Sequence, residues 1–347
     1  MGDWISFVHG LNMMTVVITI FSLLNIWTFV LYAWDKQKAK KGSWRIRERT
    51  LLGFTLLGGG IGAIFGMYYF RHKTRKIKFK VWVPAGFVIA IIVVIHIING
   101  LTFGRTVRFV ELDFHSANWP EALNGYRIAF MTDMHSIPDK EMASVIEVLN
   151  QSKIDLLLLG GDFADYSRNG DFFEGTLREI SKARATDGIW GVEGNHDNYA
   201  RLFDVKARYG INILDNTGHE IQPGFYLGGV HDAWNRQPSI EDAVADANED
   251  DFILLITHNP DVSMWQPTNR IDLILAGHTH GGQITFFGYP FILHVVSVTQ
   301  FGTRFAGGFA ESADGVPVFT SIGVGPNYGW PRVFAQPEVV IFTMFAE

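Results

Sequence analysis

Hydrophobic and polar positions follow different patterns in the two parts of this chain. The first hundred residues contain three long apolar stretches, at 11–34, 51–70 and 81–103. From residue 126 onward the apolar runs are short, and polar stretches separate them. Long uncharged stretches are typical of membrane helices, whereas short apolar runs are typical of buried strands. We therefore predict a membrane module over 1–103 and an α/β domain over 104–347.

The first and third apolar stretches are long enough to cross a membrane. At about 1.5 Å of helix per residue, each can span the roughly 30 Å of a hydrocarbon core. The middle stretch carries Gly58, Gly62 and Gly66. This spacing lets another helix backbone approach closely, but the glycines also permit a break. We expect 51–70 to be either a third span or a re-entrant segment.

Charge separates the two parts further. Residues 1–103 contain 13 Lys and Arg against three acidic residues, which leaves residues 104–347 with a net charge of −16 out of a total of −6. An acidic domain repels nucleic acid, so we expect no nucleic-acid partner. The chain has no cysteine, which excludes disulfides, thiolate metal sites and Cys nucleophiles. His, Asp, Glu and Asn remain as metal ligands.

The basic residues of the first part lie in two loops, 35–50 and 71–80, with seven and six Lys or Arg respectively. The positive-inside tendency places both loops in the cytoplasm. A re-entrant 51–70 satisfies this tendency and leaves residues 104 onward outside, whereas a crossing segment makes the acidic domain cytoplasmic. We favour the first arrangement. Through the pattern at 31–79, roughly residues 20–90 resemble a small bacterial integral-membrane family of unknown function, so we expect a protein of the bacterial cytoplasmic membrane.

Five short apolar runs of the second part end in residues that can bind metals. They are 126–133, 154–162, 188–197, 251–259 and 271–280. Between the first two, residues 140–151 have apolar side chains on one helical face, which predicts a strand, helix, strand unit. Its two strands are parallel and, if adjacent, about 4.8 Å apart. Asp133 and Asp162 can then converge, and a cation must offset their repulsion.

The polar residues at these strand ends form an ordered set of motifs. They are D-x-H at Asp133 and His135, G-D-x-x-D at Asp162 and Asp165, G-N-H-D at Asn195, His196 and Asp197, a lone His258, and G-H-x-H at His278 and His280. The set resembles that of the calcineurin-like metallophosphoesterases. The sequences GHTHGGQ and THNPD resemble the membrane-anchored bacterial phosphohydrolase branch of that family. The resemblance runs from about residue 105 to residue 347.

This resemblance implies a four-layer α/β/β/α sandwich of two mixed sheets and a two-metal centre. One ion would be held by Asp133, His135 and His280, the other by Asn195, His258 and His278, and Asp162 would bridge them. His196 would stand near the leaving group, with Asp197 or Asp165 orienting it. Imidazole, carboxylate and amide ligands suit transition metals. We expect two divalent ions, manganese first, with zinc, iron or cobalt as alternatives.

Two cations that share a carboxylate ligand can activate a water molecule to attack a phosphorus atom. We therefore predict hydrolysis of a phosphoester or pyrophosphate bond. Attachment to a membrane raises the local concentration of membrane substrates, which favours a lipid or lipid-linked substrate. One alternative is a phosphodiesterase acting on a soluble or cell-wall substrate. Another is a membrane scaffold without activity whose metal site is structural.

An apolar and aromatic run, 289–309, follows the last metal motif. We expect it to form a strand hairpin in the core, with a hydrophobic lip facing the bilayer as the alternative. Arg304, His294 and Trp234 are candidate substrate contacts. The runs 316–323 and 339–345 are predicted to be closing strands.

Overall fold

The computed structural model describes residues 13–135, 137–163, 170–197, 205–234, 236–295, 298–325 and 330–347. The chain divides into two compact units between Thr102 and Phe103. The helices of the first unit are α1 (Met13–Lys40), α2 (Glu48–Phe54), α3 (Gly60–Tyr69) and α4 (Ile77–Leu101), with a π turn at Thr55–Gly59 between α2 and α3. By length and composition alone, three stretches of the described chain could cross a membrane: Met13–Lys40, Glu48–Tyr69 and Ile77–Arg105.

The α2–α3 segment turns back on itself instead of running straight. A straight helix over Glu48–Tyr69 would hold its ends about 30 Å apart at 1.5 Å per residue. Yet Lys73 Nζ, four residues after Tyr69, lies 2.9 Å from Glu48 Oε1. The reversal occurs at Gly58, whose φ of 111° is closed to most other residues. Both basic loops therefore lie at the same end of the first unit.

The reversed backbone is held by a polar side chain of α1. Asn25 Nδ2 donates to the Gly58 carbonyl at 3.1 Å, and Asn25 Oδ1 accepts from the Gly62 N–H at 3.0 Å. The predicted close approach of helices occurs at Gly62 and Gly66, because a Cβ on either would collide with α1. These bonds satisfy backbone groups that a helix reversal would otherwise leave without partners.

The second unit contains two mixed six-stranded sheets. Their strands are β1 (Arg108–Ser116), β2 (Tyr126–Met131), β3 (Leu156–Leu159), β4 (Ile189–Gly191), β5 (Ile211–Ile213), β6 (Thr217–Gln222), β7 (Phe225–Gly229), β8 (Phe252–Ile256), β9 (Leu273–Ala276), β10 (Gly308–Glu311), β11 (Pro317–Thr320) and β12 (Glu338–Ala346). The first sheet has the order β1-β12-β2-β3-β4-β5, and the second has the order β10-β11-β9-β8-β7-β6. β2 and β3 are adjacent and parallel, as predicted.

Three apolar layers hold these sheets and their helices together. The helices are α5 (Asp139–Gln151), α6 (Gly170–Ile180), α7 (Val205–Tyr209), α8 (Ile240–Ala243) and α9 (Val262–Trp265). One layer lies between the two sheets. A second packs α5 and α6 on the first sheet, and a third packs α8 and α9 on the second. The predicted four-layer α/β/β/α architecture is confirmed.

The expected strand hairpin at 289–309 is wrong. The run contains a single 3₁₀ turn, Phe291–His294, followed by further turns, and β10 begins only at Gly308. Proline and glycine explain the difference, because Pro290 lacks an N–H and Gly302 and Gly308 have positive φ values of 61° and 78°. The apolar character of the run does not reflect strand burial.

Candidate metal centre

The candidate metal ligands lie on strained backbone where strands of the two sheets end. Asp133, His135, Asp162, His278 and His280 all have positive φ values, between 46° and 73°. Non-glycine residues rarely adopt this left-handed conformation, and clusters of them mark functional sites. The strain turns each strand end sharply enough to bring five side chains from two sheets toward one place.

The first group of ligands is closely packed and buried. One ligand atom from each of Asp133, His135, Asp162 and His280 lies within 4.8 Å of every other. His135 Nε2 and His280 Nε2 are 3.0 Å apart, and His280 Nε2 is 3.3 Å from Asp133 Oδ1. Two imidazole nitrogens and two carboxylates around one point are a suitable donor set for a divalent transition metal.

A second group adjoins the first through Asp162. His258 Nε2 is 3.1 Å from Asn195 Oδ1 and 3.2 Å from His278 Nδ1. Asp162 Oδ2 lies 3.3 Å from His258 Nε2 and 3.4 Å from His135 Nε2. A single carboxylate oxygen thus faces both groups, which is the arrangement that a bridging ligand requires.

Glycines give the carboxylates the space that they occupy. A Cβ on Gly194 would collide with Asp162 Oδ1, and a Cβ on Gly277 would collide with the side chain of Thr132. The Asp162 Oδ1 atom accepts the backbone N–H of His196 at 2.8 Å. The Asp133 carboxylate accepts the backbone N–H of His278 at 3.0 Å. Both carboxylates are therefore held in place by backbone from another motif.

The protonation of the site shows that it requires positive charge. Burial raises the pKa of Asp133 to about 6. Burial also acts to raise the pKa of Asp162, but His258 and His135 beside it hold that pKa below its usual value. Burial opposes a charge on His258, yet the Asp162 and Asp133 carboxylates raise its pKa well above the usual value. The two carboxylates thus favour positive charge on the imidazole beside them, and a donor set with this electrostatic preference fits a metal ion.

Arg332 is a site residue that the sequence did not indicate. Its side chain is buried, and its Nη2 atom is 3.0 Å from His280 Nδ1. A guanidinium only donates hydrogen bonds, so His280 Nδ1 accepts and the neutral His280 ring carries its proton on Nε2, the nitrogen that faces the other ligands. The Arg332 Nη1 atom also donates to the Ile322 carbonyl at 2.6 Å. No sequence motif marks this single arginine in a loop.

His196 and Asp197 lie beside the ligands. The His196 ring is buried, with its centroid 5.1 Å from that of His135. The Asp197 carboxylate accepts the backbone N–H groups of Asp162, Phe163 and Gly194 at 2.8 to 2.9 Å. Asp197 thereby ties the loop after β3 to the loop after β4. Asp165 lies outside the described residues.

The three candidate substrate contacts differ in their surroundings. The Trp234 ring is exposed and lies 5.5 Å from the His278 ring, edge to face. His294 Nε2 is 3.0 Å from the Tyr289 hydroxyl. Arg304 donates to the Glu311 carbonyl at 2.7 Å and lines a surface cavity that none of the predicted metal ligands lines. Of the three, Trp234 is the one with a described ring contact to a predicted ligand.

A surface of large apolar side chains follows directly after His280. We call it the aromatic lip, and its members are between 41% and 79% exposed: Phe286, Phe287, Tyr289, Phe291, Val295 and Trp330. The lip adjoins the metal motif, since Gln283 Nε2 donates to the Trp330 carbonyl at 3.1 Å and Pro290 packs against Gly282. Several exposed apolar side chains next to a polar site are a candidate binding surface.

Comparison with known families supports both units. Residues 25–79 match the family "Protein of unknown function (DUF1294)", which confirms the predicted resemblance of the membrane module. Residues 126–282 match the family "Calcineurin-like phosphoesterase". That range includes every predicted metal ligand.

Individual relatives agree with this assignment. An uncharacterized metallophosphoesterase of Helicobacter pylori strain 26695 is 29% identical over 62% of this chain and 58% of that protein, so the chain matches less than two thirds of its length. Phosphodiesterase YaeI of Escherichia coli K12 is 29% identical over 63% of this chain and 82% of its own. A Danio rerio protein described as a transmembrane protein with metallophosphoesterase domain is 22% identical over 84% of this chain and 72% of its own. Residues 126–282 are therefore similar to the calcineurin-like phosphoesterases, and they carry the candidate metal centre.

Proposed function

We propose that this protein is a membrane-anchored phosphohydrolase with two metal ions that cleaves a phosphoester or pyrophosphate bond of a lipid or lipid-linked substrate. The observation that carries the proposal is the position of Asp162 Oδ2, within 3.4 Å of His135 Nε2 and 3.3 Å of His258 Nε2. Asp133, His135 and His280 would hold one ion. Asn195, His258 and His278 would hold the other, with Asp162 between them.

When bound, the two ions supply the Lewis acidity that activates water and neutralises the phosphate oxygens. The protein's own side chains orient the reaction. His196 can deliver a proton from its ring to the departing oxygen, because its backbone is fixed to Asp162 and its ring lies beside His135. Asp197 acts as a positioning residue, since its three backbone hydrogen bonds hold the loops that carry Asp162 and Asn195.

The aromatic lip favours a lipid substrate. Aromatic and aliphatic side chains beside a polar site can contact acyl chains or the upper layer of a bilayer, while the reacting phosphate reaches the metal ligands. A soluble phosphoester does not require such a surface. The phosphodiesterase alternative has support of a different kind, because the related Escherichia coli protein is named a phosphodiesterase.

Turnover by the full chain in detergent micelles, loaded with Mn²⁺, tests the proposal. The substrate panel contains a chromogenic monoester, a chromogenic diester and a lipid pyrophosphate. Asp162→Ala should lower every rate by roughly 10³-fold or more, because the shared ligand of both ions is lost. Asp250→Ala, which removes an exposed carboxylate, is the matched control. Wild-type rates for Asp162→Ala would refute the site assignment.

The same assay separates the substrate classes. The double variant Phe286→Ser and Phe287→Ser should slow turnover of the lipid while leaving the soluble diester unaffected. Trp265→Ser removes an exposed aromatic ring at another place and should change neither rate. A wild type that prefers the soluble diester would favour the phosphodiesterase alternative. Metal uptake without turnover of any substrate would favour the structural scaffold.

We further propose that α1 and α4 cross the membrane and that the α2–α3 hairpin is re-entrant. The common position of the basic loops supports this, since positively charged loops stay in the cytoplasm. The phosphoesterase domain is then extracytoplasmic. Because the chain has no cysteine, a single introduced cysteine shows on which side of the membrane its position lies. A membrane-impermeant maleimide applied to intact cells should label Asp250→Cys, in the second unit, and not Lys41→Cys, in the first basic loop. Labelling of Lys41→Cys alone would show that the second unit is cytoplasmic.

A further inference from the structure

The reversal of α2–α3 creates a basic pocket in the first unit. A cavity of about 630 Å³ lies where the two basic loops meet, and seven Lys and Arg side chains line it. Among the residues that line this pocket none is acidic. The loops are distant in sequence and come together only because the chain folds back at Gly58.

A buried network of ion pairs fixes the shape of the basic pocket. The Asp35 carboxylate is fully buried and lies 2.9 Å from Arg45 Nη2, 2.7 Å from His72 Nε2 and 3.3 Å from Lys73 Nζ. Glu48 pairs with Lys73 and Lys76. This network connects α1, both loops and the start of α4, so the pocket is preorganised rather than formed by mobile side chains.

The positive charge of the basic pocket exceeds what its neighbouring carboxylates neutralise. Within the described chain, no carboxylate lies within 4.0 Å of Lys36, Lys40, Arg71 or Arg75, although all four line the pocket. Arg71 is held with a φ of 46°, and its carbonyl accepts from Lys36 Nζ. Positively charged side chains that line one pocket repel each other, and a bound anion relieves this repulsion. The pocket is therefore electrostatically incomplete without a ligand.

The surroundings of the basic pocket indicate the level of lipid headgroups. Trp44, in the first basic loop, is 94% exposed, and Tyr68 and Tyr69, next to the second, are 61% and 78% exposed. Exposed Trp and Tyr at the ends of apolar helices are typical of the interface between membrane and water. At the depth of the headgroups, arginine guanidinium and lysine ammonium groups can bind phosphate oxygens, because their hydrogen-bond geometry and their charge are complementary.

We propose that the basic pocket binds the phosphate group of an anionic phospholipid. The shared chemistry is a phosphate oxyanion, which could also arrive as free phosphate, and the experiment separates these two sources. The site is distinct from the candidate metal centre, and its ligand is retained rather than hydrolysed. The proposal does not depend on the phosphoesterase activity, because its test measures binding.

The test uses the full chain reconstituted in nanodiscs of phosphatidylcholine with or without phosphatidylglycerol. Retention of phosphatidylglycerol is measured by native mass spectrometry after release. Arg71→Gln with Arg75→Gln should lower retention at least about tenfold, because two unpaired cations of the pocket are lost. These side chains are exposed and outside the Asp35 network, and an unchanged thermal unfolding midpoint of the first unit in detergent will show that the variant is folded.

Lys38→Gln with Lys41→Gln is the matched control, because it removes two charges of the first basic loop that do not line the pocket. It should change retention less than about twofold. Equal losses in the two double variants would overturn the proposal and indicate diffuse attraction to the surface. Displacement of the lipid by inorganic phosphate at millimolar concentration would overturn the lipid source and show a site for free phosphate.

Discussion

Two buried carboxylates, Asp35 in the membrane module and Asp162 in the phosphoesterase domain, have opposite surroundings. Asp35 meets Arg45 and Lys73, which are permanent cations, and accepts the backbone N–H of Ile46 at 2.9 Å. Among the described residues, the side chain of Asp162 meets imidazoles and a backbone N–H group, and no Lys or Arg side chain pairs with it. Lys and Arg side chains of the chain itself neutralise Asp35. The neighbours of Asp162 are imidazole rings, which carry a positive charge only when they are protonated.

This difference separates a structural cluster from a ligand-binding one. Around Asp35 each carboxylate oxygen has donors, and the cluster joins three segments of the chain. Around Asp162 the histidine nitrogens contact each other, as His135 and His280 do at 3.0 Å. Neutral imidazoles in such contact compete for a single proton, and an added cation would satisfy all of them at once. Burial alone does not distinguish the two clusters, but the source of positive charge does.

The largest expected effect concerns the carboxylate that the chain neutralises itself. Asp35→Asn should destabilise the membrane module by about 3–5 kcal/mol, because it breaks the pairs that the fully buried carboxylate makes with the buried His72 and Lys73 side chains. Glu48→Gln, at a carboxylate that is 34% exposed, should cost about 1 kcal/mol or less. Thermal unfolding in detergent measures both, and turnover of a soluble substrate should stay near wild type. Equal costs would mean that burial of Asp35 has no special role.

An intermediate effect is expected from the buried arginine of the metal centre. Arg332→Met should raise metal affinity roughly tenfold, because the buried guanidinium repels a cation and its hydrogen bond to His280 Nδ1 keeps the ring proton on Nε2. Metal titration followed by elemental analysis gives the readout, and Arg332→Lys, which keeps the positive charge, should stay closer to wild type. Arg304→Met, at an exposed arginine away from the ligands, is the control. A lower affinity in Arg332→Met would show that the arginine supports the His280 ligand instead of opposing it.

The smallest expected effect concerns the turn that brings the basic loops together. Gly58→Ala should destabilise the module by about 1–2 kcal/mol, because an alanine at this positive φ is strained. Gly53→Ala, with no atom within 4 Å of the added Cβ, should be neutral or slightly stabilising in its helix. Unfolding midpoints of the two variants provide the comparison. An equal response would mean that the reversal at Gly58 is not under conformational constraint.

The parts of the structure that sequence reasoning predicted depend on local pattern. The helix α5 was expected from its apolar face, and Met142, Val145, Ile146 and Leu149 are indeed its buried residues. The five strand ends follow from short apolar runs that stop at polar motifs. Their convergence followed from the rule that parallel strands present their carboxyl ends at one edge.

The parts that sequence reasoning missed depend on contacts between distant residues. Charge counts left the path of 51–70 open, because the reversal depends on Asn25 and on pairs such as His72 with Asp35. Arg332 has no motif, and its role follows only from its distance to His280. The run 289–309 was expected to be a core hairpin because it is apolar, but only part of it is buried: Leu293 and Phe305 are, whereas Tyr289, Phe291 and Val295 are exposed.

The position of β12 has a consequence for how the phosphoesterase domain is made. Residues 338–346 lie between β1 and β2, pairing parallel with one and antiparallel with the other. During synthesis, β1 and β2 keep unpaired backbone edges until β12, the last strand of the domain, has been made. Open edges of this kind attract other chains. The two edges of the first sheet that β12 pairs with thus close only after this late strand has been made.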